Sequence, residues 1–400
     1  ARAAKVPGVF SAVQDIQIQF DQPQAKEQVE AAYANPPNSG DNDAFFDLQW
    51  GHAAIDAAGA WNRGYRGAGV TVAVLDSGAY CQHVDIAPNL IGGASFVPSE
   101  PSYCNTSGST HGTHVAGTIL AADNGIGTIG VAPAAKLLVG KVLSAASGSG
   151  SFAGIIQGIV WAADQGADVI NMSLGVRGGL QVNGRGANEV RDLVNATARA
   201  TRYARSKNSL VIVAAGNDGR DLDKDSSTQI CDSAGQNCFN ANLKAFPAEL
   251  PAVVSVSALG PEGWAYNRTG ADLDVLASYS SYGVTGIDFS APGGDFRYPG
   301  NEFCSITVNN GQVLTIPCYG FDMVLSTTSG TGGYGWSAGT SMAAPHVSGV
   351  AALIIGKKGG SASPAEVERI LRASADDLGK PGKDAVHGNG RVNAARAVTY

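Results

Sequence analysis

From about Ala68 onward, short β-branched runs alternate with longer segments carrying apolar residues at helical spacing. This alternation constrains the fold most, because each strand–helix–strand unit returns its strands parallel in one sheet. GVTVAVLD (69–76), AKLLVGKVL (135–143), ADVINMSLG (167–175), SLVIVAAGN (209–217) and PAVVSVSAL (251–259) read as buried strands. THVAGTILAA (113–122), GIIQGIVWAADQG (154–166), residues 187–207, MAAPHVSGVAALIIGKK (342–358) and SPAEVERILRASADDLG (363–379) read as helices. In the last, Ser363 is the expected N-cap, Pro364 the first helical residue and Gly379 the residue past the end. The expected fold class is α/β, a mainly parallel twisted sheet with helices on both faces. Sites in such sheets gather at the carboxyl ends of strands, where Asp76, Leu174, Gly175 and Asn217 fall.

Residues 1–40 break this pattern. KVPGVFSAVQDIQIQFDQ holds one possible strand, and ANPPNSGDND reads as a linker. We expect an N-terminal extension over 1–42 and one large domain over 43–400. The chain opens at ARAAKVPG without a methionine, as a fragment whose start has been removed would. The net charge of -7 argues against nucleic acid as a partner, and no apolar run reaches membrane-spanning length. Six cysteines fall into three local couples: Cys81 and Cys104, Cys231 and Cys238, Cys304 and Cys318. None forms a CxxC, so local disulfides in a secreted protein are the expectation, against six unrelated buried thiols.

Two serines in GWSAGTSMAAP could act as a nucleophile. Ser337 lies in a G-x-S-x-G match, the elbow of another hydrolase fold, with Asp376, Asp377, Asp384 and His387 as possible partners. That elbow needs a strand before it, yet the glycine-rich SGTGGYG precedes it. Ser341 begins an apolar helix whose first turn is expected to accept Pro345, and a helix N-terminus favours a nearby anion. A serine nucleophile needs a base oriented by a carboxylate. His111, at the front of STHGTHVAGT, can face a cleft, while His114 turns toward the protein body. Asp76 ends a hydrophobic strand, a costly place for an unpartnered charge.

VAVLDSG, HGTHVAGT, VINMSLG, VAAGNDG and GTSMAAPHVSG, in this order, resemble the subtilisin-like serine proteases, from about Asp43 to the end. The order Asp76, His111, Ser341 is the subtilisin order of acid, base and nucleophile. The resemblance implies a three-layer subtilisin-like fold and a secreted endopeptidase of broad specificity with a preference for large apolar P1 side chains; the alternatives are a catalytically silent binding protein on the same fold, against which the intact set Asp76, His111, Asn217 and Ser341 argues, and an esterase using Ser337. It implies Asn217 as an oxyanion donor, and Ser173-Leu174-Gly175 and Gly148-Ser149-Gly150 as strands that pair with substrate. Ala214, Ala215 and Gly216 would wall the S1 pocket, with Asp218 at its mouth.

The same resemblance implies one structural calcium ion. Its ligands would be Asp43 (as in thermitase-like members), Asp85, Asn124 and the carbonyls of Ala122, Ile126 and Thr128, with Asp123 a spare carboxylate. Asn124–Gly130 also reads G-x-G-x-x-G but follows a helix and opens a loop, so it is no dinucleotide fingerprint. A second cation near Ala248 and Leu250 is a further possibility. The expected partners are protein or peptide substrates and the protein's own propeptide, whose end the first 40 residues resemble. That segment would pack on the surface or block the cleft, and the enzyme would be a monomer.

Overall fold

The computed structural model describes residues 12–22, 27–30, 41–184, 187–230, 239–297, 302–308 and 311–400. The principal strands are β1 (Gln17–Gln19), β2 (Glu27–Glu30), β3 (Thr71–Asp76), β4 (Leu90–Ser95), β5 (Lys136–Lys141), β6 (Ser149–Ser151) and β7 (Val169–Met172). They continue with β8 (Leu210–Ala214), β9 (Val253–Leu259), β10 (Phe289–Pro292), β11 (Phe303–Thr307), β12 (Val313–Pro317), β13 (Val324–Thr327) and β14 (Gly333–Ser337). The main helices are α1 (His111–Leu120), α2 (Phe152–Asp164), α3 (Ala187–Ser206), α4 (Thr340–Lys357) and α5 (Pro364–Ser374).

Seven strands form one parallel sheet in the order β10-β9-β8-β7-β3-β5-β4. Side chains of β3 alternate faces. Val72 and Val74 join a core with Val115, Ile119 and α4, while Ala73 and Leu75 join one with Phe152, Ile155 and Ile159 of α2. The result is the expected three-layer α/β architecture. Helices α1 and α4 are buried almost all round, which explains why their apolar pattern lacks a polar face. After β5 the chain crosses to the other side of β3 and continues with β7. The reversal of strand order opens a crevice beside Asp76.

Three local expectations need correction. Helix α1 starts at His111, two residues early, so this imidazole stands on the first turn. Helix α5 keeps its Ser363 cap, which accepts from Glu366 N–H, but ends at Ser374 instead of running to Gly379. There the Asp376 N–H bonds the Arg391 carbonyl at 2.8 Å, and its carboxylate accepts from Arg391 and Arg396, drawing the chain off the helix axis. Pro345 sits beyond the first turn, inside α4. Its missing N–H leaves the Ser341 carbonyl without its helical partner.

Among the described residues, no helix is long and apolar enough to cross a membrane.

Candidate active site

The crevice is built from strand ends and helix starts. Asp76, the last residue of β3, is 1% exposed. Both its carboxylate oxygens lie 2.9 Å from His111 Nδ1. A carboxylate only accepts, so Nδ1 carries the proton and Nε2 is left as the ring's basic nitrogen. Nε2 is buried and has no hydrogen-bond partner among the described residues. A Cβ at Gly112 would fall 2.2 Å from the Gly78 carbonyl, so a glycine there lets α1 approach the strand end.

Ser341 stands in the first turn of α4, yet its hydroxyl does not cap the helix. It donates to the Ser173 carbonyl at 3.1 Å, while Ser173 Oγ donates back to the Ser341 carbonyl at 2.8 Å. The second bond satisfies the carbonyl that Pro345 leaves free. Proline and Ser173 together tie the helix start to the end of β7. Beside them, Thr340 N–H and Oγ1 donate to Asn217 Oδ1 at 2.8 and 2.9 Å. These bonds fix the Asn217 amide so that Nδ2 faces the cleft. Sequence reasoning missed this part for Thr340, although it immediately precedes Ser341.

Ser337 has different surroundings. It lies in β14, opposite Val324, 1% exposed, and its Oγ finds no partner among the described residues. Strand β14 does run up to it and α4 begins three residues later, but Ser337 itself lies within the strand. His387 faces Ser290 at 3.2 Å, and Asp384 accepts from the N–H groups of Val386 and His387.

Both expected substrate strands are occupied by the chain's own N-terminal segment. β1 pairs antiparallel with β6, Ile18 opposite Gly150 and Gln19 opposite Ser149. Phe20 N–H bonds the Gly148 carbonyl at 3.3 Å, and Asp21 N–H bonds the Gly175 carbonyl at 3.0 Å. The Asp21 carboxylate accepts from Asn217 Nδ2 at 2.8 Å and from Arg177 Nη2 at 3.1 Å. Asp21 and Arg177 share a small hollow with Gly175, Ala214, Gly216, Asn217, Asp218 and Ser341, next to the buried Ala215 and Leu174. Asp218 is engaged by the Gly178 N–H at 2.9 Å. Farther along, β2 adds antiparallel to β14, so the segment touches the body at two separated places. The roles of Asp21 and Arg177 carry no sequence motif.

The chain matches the Subtilase family over residues 67–390. The chain belongs to the subtilases. It is 36% identical to Subtilisin Savinase of Lederbergia lenta over 354 residues, 88% of this chain and 98% of that one. It is equally identical to M-protease of Shouchella clausii, covering 70% of that protein. Two solved structures share the fold. One is a protease from Pseudoalteromonas arctica PAMC 21717 (TM-score 0.66, 30% identity, 90% of this chain and 99% of that one). The other is a lanthipeptide protease (TM-score 0.67, 28% identity, 88% and 95%). This subtilase is a serine-type endopeptidase.

In this subtilase the disulfides Cys81–Cys104 and Cys304–Cys318 are formed. Cys231 and Cys238 lie outside the described residues. The expected calcium loop brings Asp43 and Asp85 to Asn124. Asn124 N–H bonds Asp43 Oδ1 at 3.3 Å, and Asn124 Nδ2 bonds Asp85 Oδ1 at 3.0 Å. Thr128 N–H reaches Asp85 Oδ2 at 3.3 Å, Ile126 N–H reaches Asn124 Oδ1 at 2.9 Å, and Ala122 N–H bonds the Asp85 carbonyl. Burial pushes the Asp85 carboxyl up to about 7 and, with neighbouring Asp41, the Asp43 carboxyl up to about 9. Asp43 Oδ2 has no hydrogen-bond partner among the described residues. Carboxylates buried without a matching cation are what an oxygen-seeking metal requires, so the residues fit the group.

Asp41, Asp43 and Asp123 also cluster within 4.8 Å, and Arg66 lies 2.6 Å from Asp123. Asp41 is a member that sequence reasoning missed; its signal was the alternate acidic spacing of Asp-Asn-Asp. No second such cluster occurs among the described residues. Near Ala248 and Leu250, the Glu249 carboxylate is taken by Lys244 and the Ala245 N–H.

Proposed function

We propose that this chain hydrolyses peptide bonds through an acyl-enzyme on Ser341, with His111 as base, Asp76 as its orienting acid and Asn217 as oxyanion donor. The observation that carries the reading is the Asp76 carboxylate on His111 Nδ1, which leaves Nε2 as the proton acceptor. Ser341 Oγ, turned in this structure toward the Ser173 carbonyl, rotates toward Nε2. It attacks the scissile carbonyl carbon as its proton passes to His111. The oxyanion is held by Asn217 Nδ2 and the Ser341 N–H at the start of α4. His111 then gives the proton to the leaving amine and the C–N bond breaks. Water, deprotonated by the same nitrogen, frees the acid and restores the hydroxyl. Asp76 keeps the ring oriented and stabilises its charged form.

Substrate adds as a strand between Gly148–Gly150 and Ser173–Gly175, a pairing that reads backbone and so suits broad specificity. The small walls at Ala214, Ala215 and Gly216 leave room for a large apolar P1 side chain, with Asp218 at the rim. The support for this subsite is that the N-terminal segment, through β1 and Asp21, already uses both edges in this way.

The enzyme is secreted and monomeric in this reading, with residues 1–42 a propeptide remnant and 43–400 the peptidase domain. Asp43, Asp85, Asn124 and the carbonyls of Ala122, Ile126 and Thr128 would hold one calcium ion. Bound there, it supplies positive charge that ties the N-terminal part of the domain to the loop after α1.

The reading is tested by incubating the protein with a peptide library and sequencing the products. Internal cleavage abolished by Ser341→Ala supports it, with cuts after large apolar residues supporting the pocket assignment. Uncut peptides from a folded protein, its N-terminal segment removed by limited proteolysis, overturn it.

A further inference from the structure

One of the two substrate edges proposed above runs through SAASGSGS (144–151), a stretch of small residues and glycine. Side-chain packing gives such a loop little to hold on to, and Gly148 takes a left-handed φ of 71°. A carboxylate from elsewhere in the chain holds it instead. Glu100 accepts from Ser144 Oγ, from the Ala145 N–H at 3.0 Å and from the Ala146 N–H at 3.4 Å. Ser144 Oγ in turn accepts from the N–H groups of Ala146 and Ser147 at 3.2 and 3.1 Å. Glu100 belongs to none of the motifs that carry the resemblance.

The carboxylate is itself tied down. Lys141, the last residue of β5, is 3% exposed, and its Nζ lies 2.6 Å from Glu100 Oε2. A buried ammonium needs such a counter-charge. Burial works to raise the Glu100 carboxyl, but Lys141, Ser144 and Ala145 outweigh it and hold the group down at about 2. Lys141 Nζ also donates to Asn105 Oδ1 at 2.9 Å, and Asn105 Nδ2 donates to the carbonyls of Ser77 and Ser109 at 2.9 and 3.2 Å. Ser77 follows Asp76, and Ser109 Oγ accepts from the His111 N–H at 3.2 Å. The Ser109 N–H closes the circuit on the Ala145 carbonyl at 2.8 Å. One charge pair therefore connects the substrate edge, the end of β3 and the start of α1.

We infer that Glu100, anchored by Lys141, is a positioning residue for substrate: it holds the edge at 148–150 in register with His111. The inference rests on the peptidase reading and extends it to a residue outside the proposed catalytic set. Asp21 shares a hollow with Ser341, while Gln17 to Gln19 lie along β6. A substrate with several residues before the cut bond therefore reaches this edge, and one with a single residue does not. The effect of Glu100 falls on long substrates.

The test compares two substrates on the full chain: an ester of acetyl-phenylalanine, and the ester of an alanine-rich pentapeptide ending in phenylalanine. Both need the same free cleft, so the share of molecules whose own segment covers it cancels from the ratio of their kcat/KM values. A loss of folded protein cancels as well, which makes the ratio blind to a merely structural role. Glu100→Gln keeps the shape and removes the charge. It is expected to lower the pentapeptide-to-single-residue ratio about tenfold, the scale of a hydrogen bond lost to a charged group. Should that variant fail to fold, Ser144→Ala, which leaves the Lys141 pair in place, is expected to lower the ratio about threefold, the scale of a weaker hydrogen bond. An unchanged ratio in the folded variant overturns the positioning role and leaves the peptidase reading intact. No hydrolysis of either ester, before or after limited proteolysis of the N-terminal segment, sinks the peptidase reading, and the positioning role falls with it.

Discussion

Ser337 and Ser341 are four residues apart, equally buried and chemically identical, yet their surroundings differ in every respect that matters. Ser337 points from a strand, with Trp336 beside it in sequence and no partner for its hydroxyl among the described residues. Ser341 sits where a helix begins, a strand ends and an asparagine amide is held in register by Thr340. If Ser341 is the nucleophile, as proposed, its reactivity is a property of converging elements. A sequence pattern around a serine cannot supply it. The G-x-S-x-G match at Ser337 satisfies a motif, but that serine lies inside β14.

The contrast can be broken in order of expected effect. Ser341→Ala should lower kcat on the order of 10⁶-fold, a scale set by subtilisin. Ser337→Ala should change it less than about threefold, because nothing in the reading touches that hydroxyl. Comparable losses in both, measured on one peptide substrate, would erase the distinction. Asn217→Ala should cost about 10²–10³ in kcat, a figure also set by subtilisin. A loss confined to KM would place Asn217 in binding alone. Chelation with EDTA should lower the unfolding temperature by several degrees if the loop around Asn124 holds calcium, since a ligand bound only to the folded state stabilises it. An unchanged temperature would show that the loop stands without the ion.

The smallest effect separates two histidines three residues apart. His111 keeps its carboxylate, whereas His114 bonds the Val324 and Gly335 carbonyls through Nε2, and burial drives its pKa down to about 3. Its folded value lies below the unfolded one of about 6.5. The stability it permits is therefore present above about pH 6.5 and falls as pH drops toward 3, because only the unfolded chain takes the proton. Replacing it with asparagine should remove about 1.4 kcal/mol per pH unit from the slope of stability near pH 5. Parallel slopes for the two proteins would mean that His114 is protonated in the native state.

Much of this was legible beforehand, for definite reasons. Except for the half-exposed edge strand β4, the sheet strands are buried on both faces, so most of them appear as apolar runs, and the helices between them keep their period. Asp76, His111, Asn217 and Ser341 stand in short motifs whose order is itself informative. What stayed hidden depends on contacts far apart in the chain. β1 has three residues and pairs across more than a hundred positions, which leaves no periodic trace. Asp21 reads as an ordinary surface charge until Asn217 and Arg177 are seen around it. Pro345 looked harmless in a first turn. Its true cost, a freed Ser341 carbonyl, is met by Ser173, a residue expected only to line the substrate path. Asp41 was passed over because Asp43 alone fitted the resemblance.

The proposed acyl transfer takes place at a single hydroxyl. Prolonged treatment of the folded chain with a fluorophosphonate, followed by peptide mapping in a mass spectrometer, reads that hydroxyl directly. The adduct is predicted on Ser341 and to disappear when His111 is changed to alanine. An adduct on Ser337, or equal labelling of Ser341 without the imidazole, would contradict it.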